Sequence, residues 1–137
     1  MAERHGQCAC GAVTFTADIT AEHLGACHCT TCRRMNGGPF IVVEAHGLTY
    51  PADAPLGVYN SSEWADRTYC QKCGTSLAYR LKGQDMAFVG AYTFDPPLDM
   101  PLKGEVFIDE KPADYSFADD TQKITGPELF AMMQGQG

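Results

Sequence analysis

Residues 8–17, Cys8-Ala9-Cys10-Gly11-Ala12-Val13-Thr14-Phe15-Thr16-Ala17, run a hook of two thiols straight into a segment that alternates small or polar side chains with apolar ones. Alternation at period two marks a half-buried strand, because successive side chains point to opposite faces. The pattern returns at Leu77-Ala78-Tyr79-Arg80-Leu81, shortly after a second hook, Cys70-Gln71-Lys72-Cys73-Gly74. Further strands are expected over 40–44, 57–59, 65–69, 86–90 and 105–108, short runs parted by Gly, Pro, Asp and Asn. No repeated crossover helices accompany them, so the expected fold is mainly β, built of small and mainly antiparallel sheets. One late helix is predicted from Pro127, a good first-turn residue beside Glu128, through Met133, ending before Gly135. Three prolines within Asp95-Pro96-Pro97-Leu98-Asp99-Met100-Pro101 make that segment a connecting loop.

The 137 residues suit a single domain, 1–137, with apolar side chains enough for one core. Ten basic against 17 acidic side chains give a formal charge of -7, which leaves no extended positive surface for phosphates and speaks against a nucleic-acid partner. No apolar run approaches the roughly 18 residues of a membrane span, and the first residues lack the apolar stretch of a secretory signal. The expectation is a cytoplasmic protein without a membrane partner. The sequence leaves its oligomeric state open.

Seven cysteines in so short a chain need a purpose. Their odd number rules out complete pairing into disulfides, and a reducing compartment disfavours stable pairing, so metal ligation is the stronger reading. The hooks Cys8-Ala9-Cys10-Gly11 and Cys70-Gln71-Lys72-Cys73-Gly74 together supply four thiolates, which satisfy the tetrahedral preference of zinc and would tie distant parts of a β fold together. The glycine after each hook permits a tight turn with positive φ, in which backbone amides point at sulfur. A redox pair at Cys70 and Cys73 competes with this reading, and iron takes similar ligands.

Cys27-His28-Cys29-Thr30-Thr31-Cys32-Arg33-Arg34 places the other three thiols within six residues, close enough for a turn to wrap one metal. Zinc held by Cys27, Cys29 and Cys32 would keep a fourth position for water or an external thiolate. Three thiolates make the metal a weak carbonyl activator, so the favoured chemistry is activation of an incoming thiol beside an electrophilic carbon, forming or breaking a hemithioacetal. His28 is a candidate for proton transfer or substrate orientation, for ligation, or for a structural contact. Arg33 and Arg34 could offset thiolate charge, bind a carboxylate or serve structure. His5, His23 and His46 fall outside any ligand spacing and read as turn or surface residues. Phe40, Phe88, Tyr92 and Phe94 are expected in the core, and Trp64 as half-buried or lining a cleft.

The ordered set Cys8-x-Cys10-Gly11, Cys27-His28-Cys29-x-x-Cys32-Arg33-Arg34, Gly38-x-Phe40 and Cys70-x-x-Cys73-Gly74 resembles the glutathione-dependent formaldehyde-activating enzyme family, which also includes centromere protein V. The resemblance spans about residues 5–110, and its seven-cysteine order is specific. It implies a β-tent fold and two Zn2+ per chain, a structural one at Cys8, Cys10, Cys70 and Cys73 and a catalytic one at Cys27, Cys29 and Cys32. It implies a carbon-sulfur lyase activity too, joining glutathione and formaldehyde into S-hydroxymethylglutathione, with a small-molecule thiol and an aldehyde, or their adduct, as partners. Lys111-Pro112-Ala113-Asp114-Tyr115 resembles a family segment that commonly carries tryptophan where this chain has Tyr115. Two other functions stand beside the enzymatic one, a zinc-stabilised interaction module and a thiol redox or metal sensor; retention of metal under mild oxidation separates the sensor from the rest.

Overall fold

A computed structural model describes residues 2–134, and the expected stop before Gly135 lies outside them. In chain order the strands and helices are β1 (Glu3–Gln7), β2 (Thr14–Asp18), β3 (Leu24–Cys27), α1 (Thr30–Asn36), β4 (Phe40–Thr49), β5 (Leu56–Tyr59), β6 (Ala65–Cys70), β7 (Ser76–Leu81), β8 (Ala87–Gly90), β9 (Leu102–Val106), β10 (Gln122–Ile124) and α2 (Gly126–Gln134). Short 3-10 turns occupy Ala91–Thr93 and Ile108–Glu110. The chain is mainly strand with little helix. No helix among the described residues is long and apolar enough to cross a membrane.

The described residues group into two units interleaved along the chain, one holding the chain through Glu22 together with Val42–Asp99, the other His23–Ile41 and the chain from Met100 onward. In the first unit the strands β5, β6, β7, β8 and β4 follow one another as antiparallel neighbours. Farther along, β4 changes partner: Val42–Ala45 pair with β8, and His46 and Thr49 pair with β2, which carries β1 on its other side. The alternation that predicted β2 does its work here, burying Phe15 and Ala17 and turning Thr14 outward. Phe15 meets Phe94 and Tyr50 edge-on, with ring centroids 5.2 and 6.2 Å apart. Val13, Val43, Leu77 and Val89 complete a buried apolar centre, each buried aliphatic side chain contributing about 1.5–3 kcal/mol.

The second unit is built differently. Its three strands are parallel, with β9 between β3 and β10. These pairings depart from the expected antiparallel arrangement because β3 and β9 are brought together by long stretches of intervening chain and not by a hairpin. Strand β9 begins and ends earlier than the run expected over 105–108, since Phe107 takes a left-handed conformation (φ 55°) that breaks the extended backbone before the turn at Ile108–Glu110. Phe107 packs edge-on against Phe130 of α2, centroids 6.0 Å apart.

Candidate metal sites

Each hook folds as a knuckle. Cys8 N–H donates to the carbonyl of Val13 (2.9 Å) and Gly11 N–H to that of Cys8 (3.1 Å); Cys70 N–H donates to Thr75 (3.0 Å) and Gly74 N–H to Cys70 (2.9 Å). The turns close through Gly11 and Gly74 at φ 80° and 81°, the left-handed region that side chains with a Cβ avoid. Amides then point at sulfur as expected, from Val13 to Cys8 Sγ at 3.3 Å and from Lys72 and Cys73 to Cys70 Sγ at 3.3 and 3.4 Å.

Within the first unit the two knuckles meet. The sulfurs of Cys8, Cys10, Cys70 and Cys73 all lie within 4.8 Å of one another, with Cys8–Cys10 at 3.6 Å and Cys10–Cys70 at 3.8 Å. A tetrahedron of sulfurs about 2.3 Å from zinc has edges of about 3.8 Å, so the donor set has the size and chemistry of a closed four-thiolate site. Cys8 and Cys70 are buried, Cys10 and Cys73 exposed. Ala12 N–H favours a thiolate on Cys10, but partial desolvation by the surrounding chain and the neighbouring thiols of Cys8, Cys73 and Cys70 outweigh it and push the group up to about 11. Cys73 is drawn down to about 5, first by the Thr75 hydroxyl and then by the Thr75 amide.

In the second unit, Cys27, Cys29 and Cys32 bring their sulfurs within 4.8 Å of one another. Cys27 closes β3, Cys29 caps α1 with its sulfur accepting from Cys32 N–H at 3.3 Å, and Cys32 lies buried one turn into the helix. Where the sequence suggested only a turn, a seven-residue helix forms. Its residues, TTCRRMN, carry no apolar stripe, and what holds it are caps: Glu110 Oε1 accepts from Thr30 N–H and from the Thr30 hydroxyl, both at 2.9 Å. The neighbouring thiols Cys29 and Cys32, with burial, push the Cys27 thiol far up. Three thiols so crowded resist ionising together, and a divalent cation would relieve them; the set fits three corners of a zinc site.

His28 stands between two of these cysteines with its side chain fully buried. Its Nε2 lies 2.8 Å from Glu105 Oε1, its Nδ1 3.3 Å from the Tyr115 hydroxyl, and its ring packs against those of Tyr115 and Phe117. Burial works to raise the Glu105 carboxyl, yet hydrogen bonds from Thr121 and His28, with the nearby positive charge of Lys123, hold it below its ordinary value. The Thr121 hydroxyl donates to the second carboxylate oxygen, and Lys123 Nζ stands 3.8 Å away. Lys111 Nζ lies over the Tyr115 ring, 4.2 Å from its centroid, and donates to the Tyr115 and Pro112 carbonyls. A cleft of about 250 Å³ opens beside this network, lined by Glu105, Ile108, Lys111, Phe117 and Lys123 among others.

Arg33 spends its guanidinium on structure, donating to the His28 carbonyl (3.1 Å) and to Thr30 Oγ1 (3.3 Å), whereas Arg34 is exposed. His5 and His23 are exposed, whereas His46, expected at a turn or on the surface, lies half-buried within β4 because that strand runs on to Thr49, and its Nδ1 meets the Asp85 carbonyl at 2.7 Å. Phe40 and Phe94 are buried and Phe88 half-buried, but Tyr92 is 76% exposed because the 3-10 turn after β8 swings it outward. Trp64 is exposed, its indole N–H donating to the Tyr79 hydroxyl at 3.1 Å. Glu105, Thr121 and Thr75 escaped the sequence reading; a lone glutamate in a short strand and two ordinary threonines carry no local signal of what they face.

Residues 3–110 match the model of a family described as glutathione-dependent formaldehyde-activating enzyme. An uncharacterized lyase of Schizosaccharomyces pombe is 33% identical over 131 residues, covering 94% of this chain and 96% of that protein. A crystal structure of a Rhodobacter sphaeroides protein resembles the fold with a TM-score of 0.59 at 20% identity, over 72% of this chain and 99% of that one.

Proposed function

Since this chain belongs to the glutathione-dependent formaldehyde-activating enzyme family, we propose that it is a zinc-dependent carbon-sulfur lyase that forms and breaks the adduct of a small thiol with an aldehyde, S-hydroxymethylglutathione from glutathione and formaldehyde being the leading case. The observation that carries this reading is the division of seven cysteines into a group of four and a separate group of three. Four thiolates complete a tetrahedron, and three leave one corner for a substrate. Cys8, Cys10, Cys70 and Cys73 would hold a structural zinc, and Cys27, Cys29 and Cys32 a second zinc, two per chain. Bound there, zinc would supply a lowered thiol pKa and a fixed nucleophilic sulfur.

The reaction itself is simple in its balance. A carbon-sulfur bond forms, the carbonyl π pair moves to oxygen, and the proton leaving sulfur ends on that oxygen. The chain's contribution is to place the reactants and hold its own thiols fixed, an effect carried by orientation. Cap bonds from Glu110 and Cys29 fix α1 and hence Cys32, and Arg33 holds the carbonyl of His28.

Zinc per chain, thermal unfolding and formaldehyde-glutathione turnover in wild type and Cys29→Ser test the proposal, with the uncatalysed equilibrium subtracted. The variant is expected to lose about one zinc per chain and at least about tenfold in turnover while its fold survives. Equal turnover and metal content in the two proteins would overturn the assignment. Two zinc ions without turnover in the wild type would point instead to a zinc-stabilised interaction module.

A further inference from the structure

The backbone from Cys27 to Cys29 is extended, Cys27 as the last residue of β3 and Cys29 at φ −62°, ψ 156°. Side chains along such a segment alternate between faces, so Cys27 and Cys29 share one face and the ring of His28 goes to the other. Burial agrees, with His28 fully enclosed and the two cysteines only half so. On that hidden face the ring meets Glu105, 2% exposed and carried by β9, between β3 and β10, in register with Ala26. A carboxylate can only accept, so the 2.8 Å contact calls for a proton on Nε2, and in the neutral ring Nδ1 is then the nitrogen that accepts from the Tyr115 hydroxyl. Glu105 is itself held at its other oxygen by Thr121. A buried pair of this kind costs desolvation and is a poor source of stability, and orientation is the use to which its geometry is suited.

We propose that Glu105 is a positioning residue for the three-thiol site: it clamps His28 from behind as the Nε2–H tautomer, with Tyr115 as the second stop, and so sets the direction in which Cys27 and Cys29 present their sulfurs. The backbone bond from His28 N–H to the Val106 carbonyl (3.1 Å) fixes the height of the segment, and the clamped ring fixes its rotation. The inference rests on the reading of Cys27, Cys29 and Cys32 as a metal site that handles substrate. It gives Tyr115 a task that its hydroxyl performs on His28.

The test uses the full chain loaded with zinc and two readouts that need no turnover: the 15N resonances of the His28 ring, which separate the two tautomers, and competition with a chromophoric chelator, which yields the affinity of each metal site. The wild type is expected to show a protonated Nε2 and a bare Nδ1. Glu105→Gln keeps the shape but lets an amide face Nε2 with either oxygen or nitrogen, so the tautomers should mix and the weaker zinc site should lose about 10- to 100-fold in affinity, with the four-thiol site unchanged. Tyr115→Phe should keep the Nε2–H tautomer and lose less than Glu105→Gln. If Glu105→Gln does not fold, Glu105→Asp decides, retaining the tautomer through an acceptor-only partner but weakening the site through its shorter arm. A wild-type ring protonated on Nδ1 alone, or wild-type zinc affinity in whichever of Glu105→Gln and Glu105→Asp folds, would overturn the proposal. Failure of the three thiols to take zinc would sink this inference and the proposed function together, whereas two bound zinc ions with these signatures and no turnover would sink only the thiol-aldehyde reading.

Discussion

Thr75 shows how much a site can owe to a residue outside its donor set. Its hydroxyl lies 3.1 Å from Cys73 Sγ and accepts from Ala9 N–H at 3.0 Å, so one side chain touches both knuckles. Hydrogen bonds to a thiolate favour the ionised form, which is the form that binds metal, and they restrict the sulfur to one direction. Thr75→Val is therefore expected to weaken zinc at the four-thiol site about tenfold and leave the three-thiol site as it was, measured by chelator competition. Thr75→Ser, which keeps the hydroxyl, should restore most of the loss. At this scale the sequence identified every thiol but not the groups that orient them, since Thr75 is marked as important only by the amide and sulfur that converge on it.

The helices contrast in how their ends are secured. At the start of α2, Thr125 N–H donates to Glu128 Oε1 (2.8 Å) while Glu128 N–H donates to Thr125 Oγ1 (3.2 Å), a reciprocal capping box. The Thr125 amide, followed by its hydroxyl, holds the Glu128 carboxyl below its ordinary value of 4.5. A lowered carboxylate pKa means the box supports α2 at neutral pH and loses that support as pH falls through the folded value, below 4.5. Amide exchange should thus show α2 fraying in acid before the strands of its unit open, and Glu128→Ala should show the same fraying already at neutral pH. This helix was legible because Pro127 and Glu128 sit at its own start. The other, α1, was not, because its caps come from Glu110, 80 residues away, and from the sulfur of Cys29.

Across the whole molecule the four-thiol site is a long tie inside the first unit, joining Cys10 to Cys70 across 60 residues. Closing a loop of that length costs about 3–4 kcal/mol in chain entropy, and a structural metal returns more than that as folding free energy. Cys8→Ser and Cys73→Ser are both expected to lower zinc content and melting temperature together, Cys8→Ser more severely because its sulfur is buried and Cys73 is exposed. Unchanged melting with full zinc in both variants would remove the structural role from these hooks. The sequence alone determined the strands with clear alternation, as at Thr14–Asp18 and Ser76–Leu81, and the division of the cysteines, because period-two burial and ligand spacing are local properties written within a few residues. Strand β1, ERHGQ, and strand β10, QKI, escaped because largely polar segments carry no such period, and β3, LGAC, because it holds no β-branched or aromatic residue that marks a strand. Only the tertiary structure decided the parallel order of β3, β9 and β10 and the meeting of His28 with Glu105, 77 residues apart. That meeting depends on the register of one strand against another, and a shift of a single residue would send Glu105 to the opposite face and leave His28 without its acceptor.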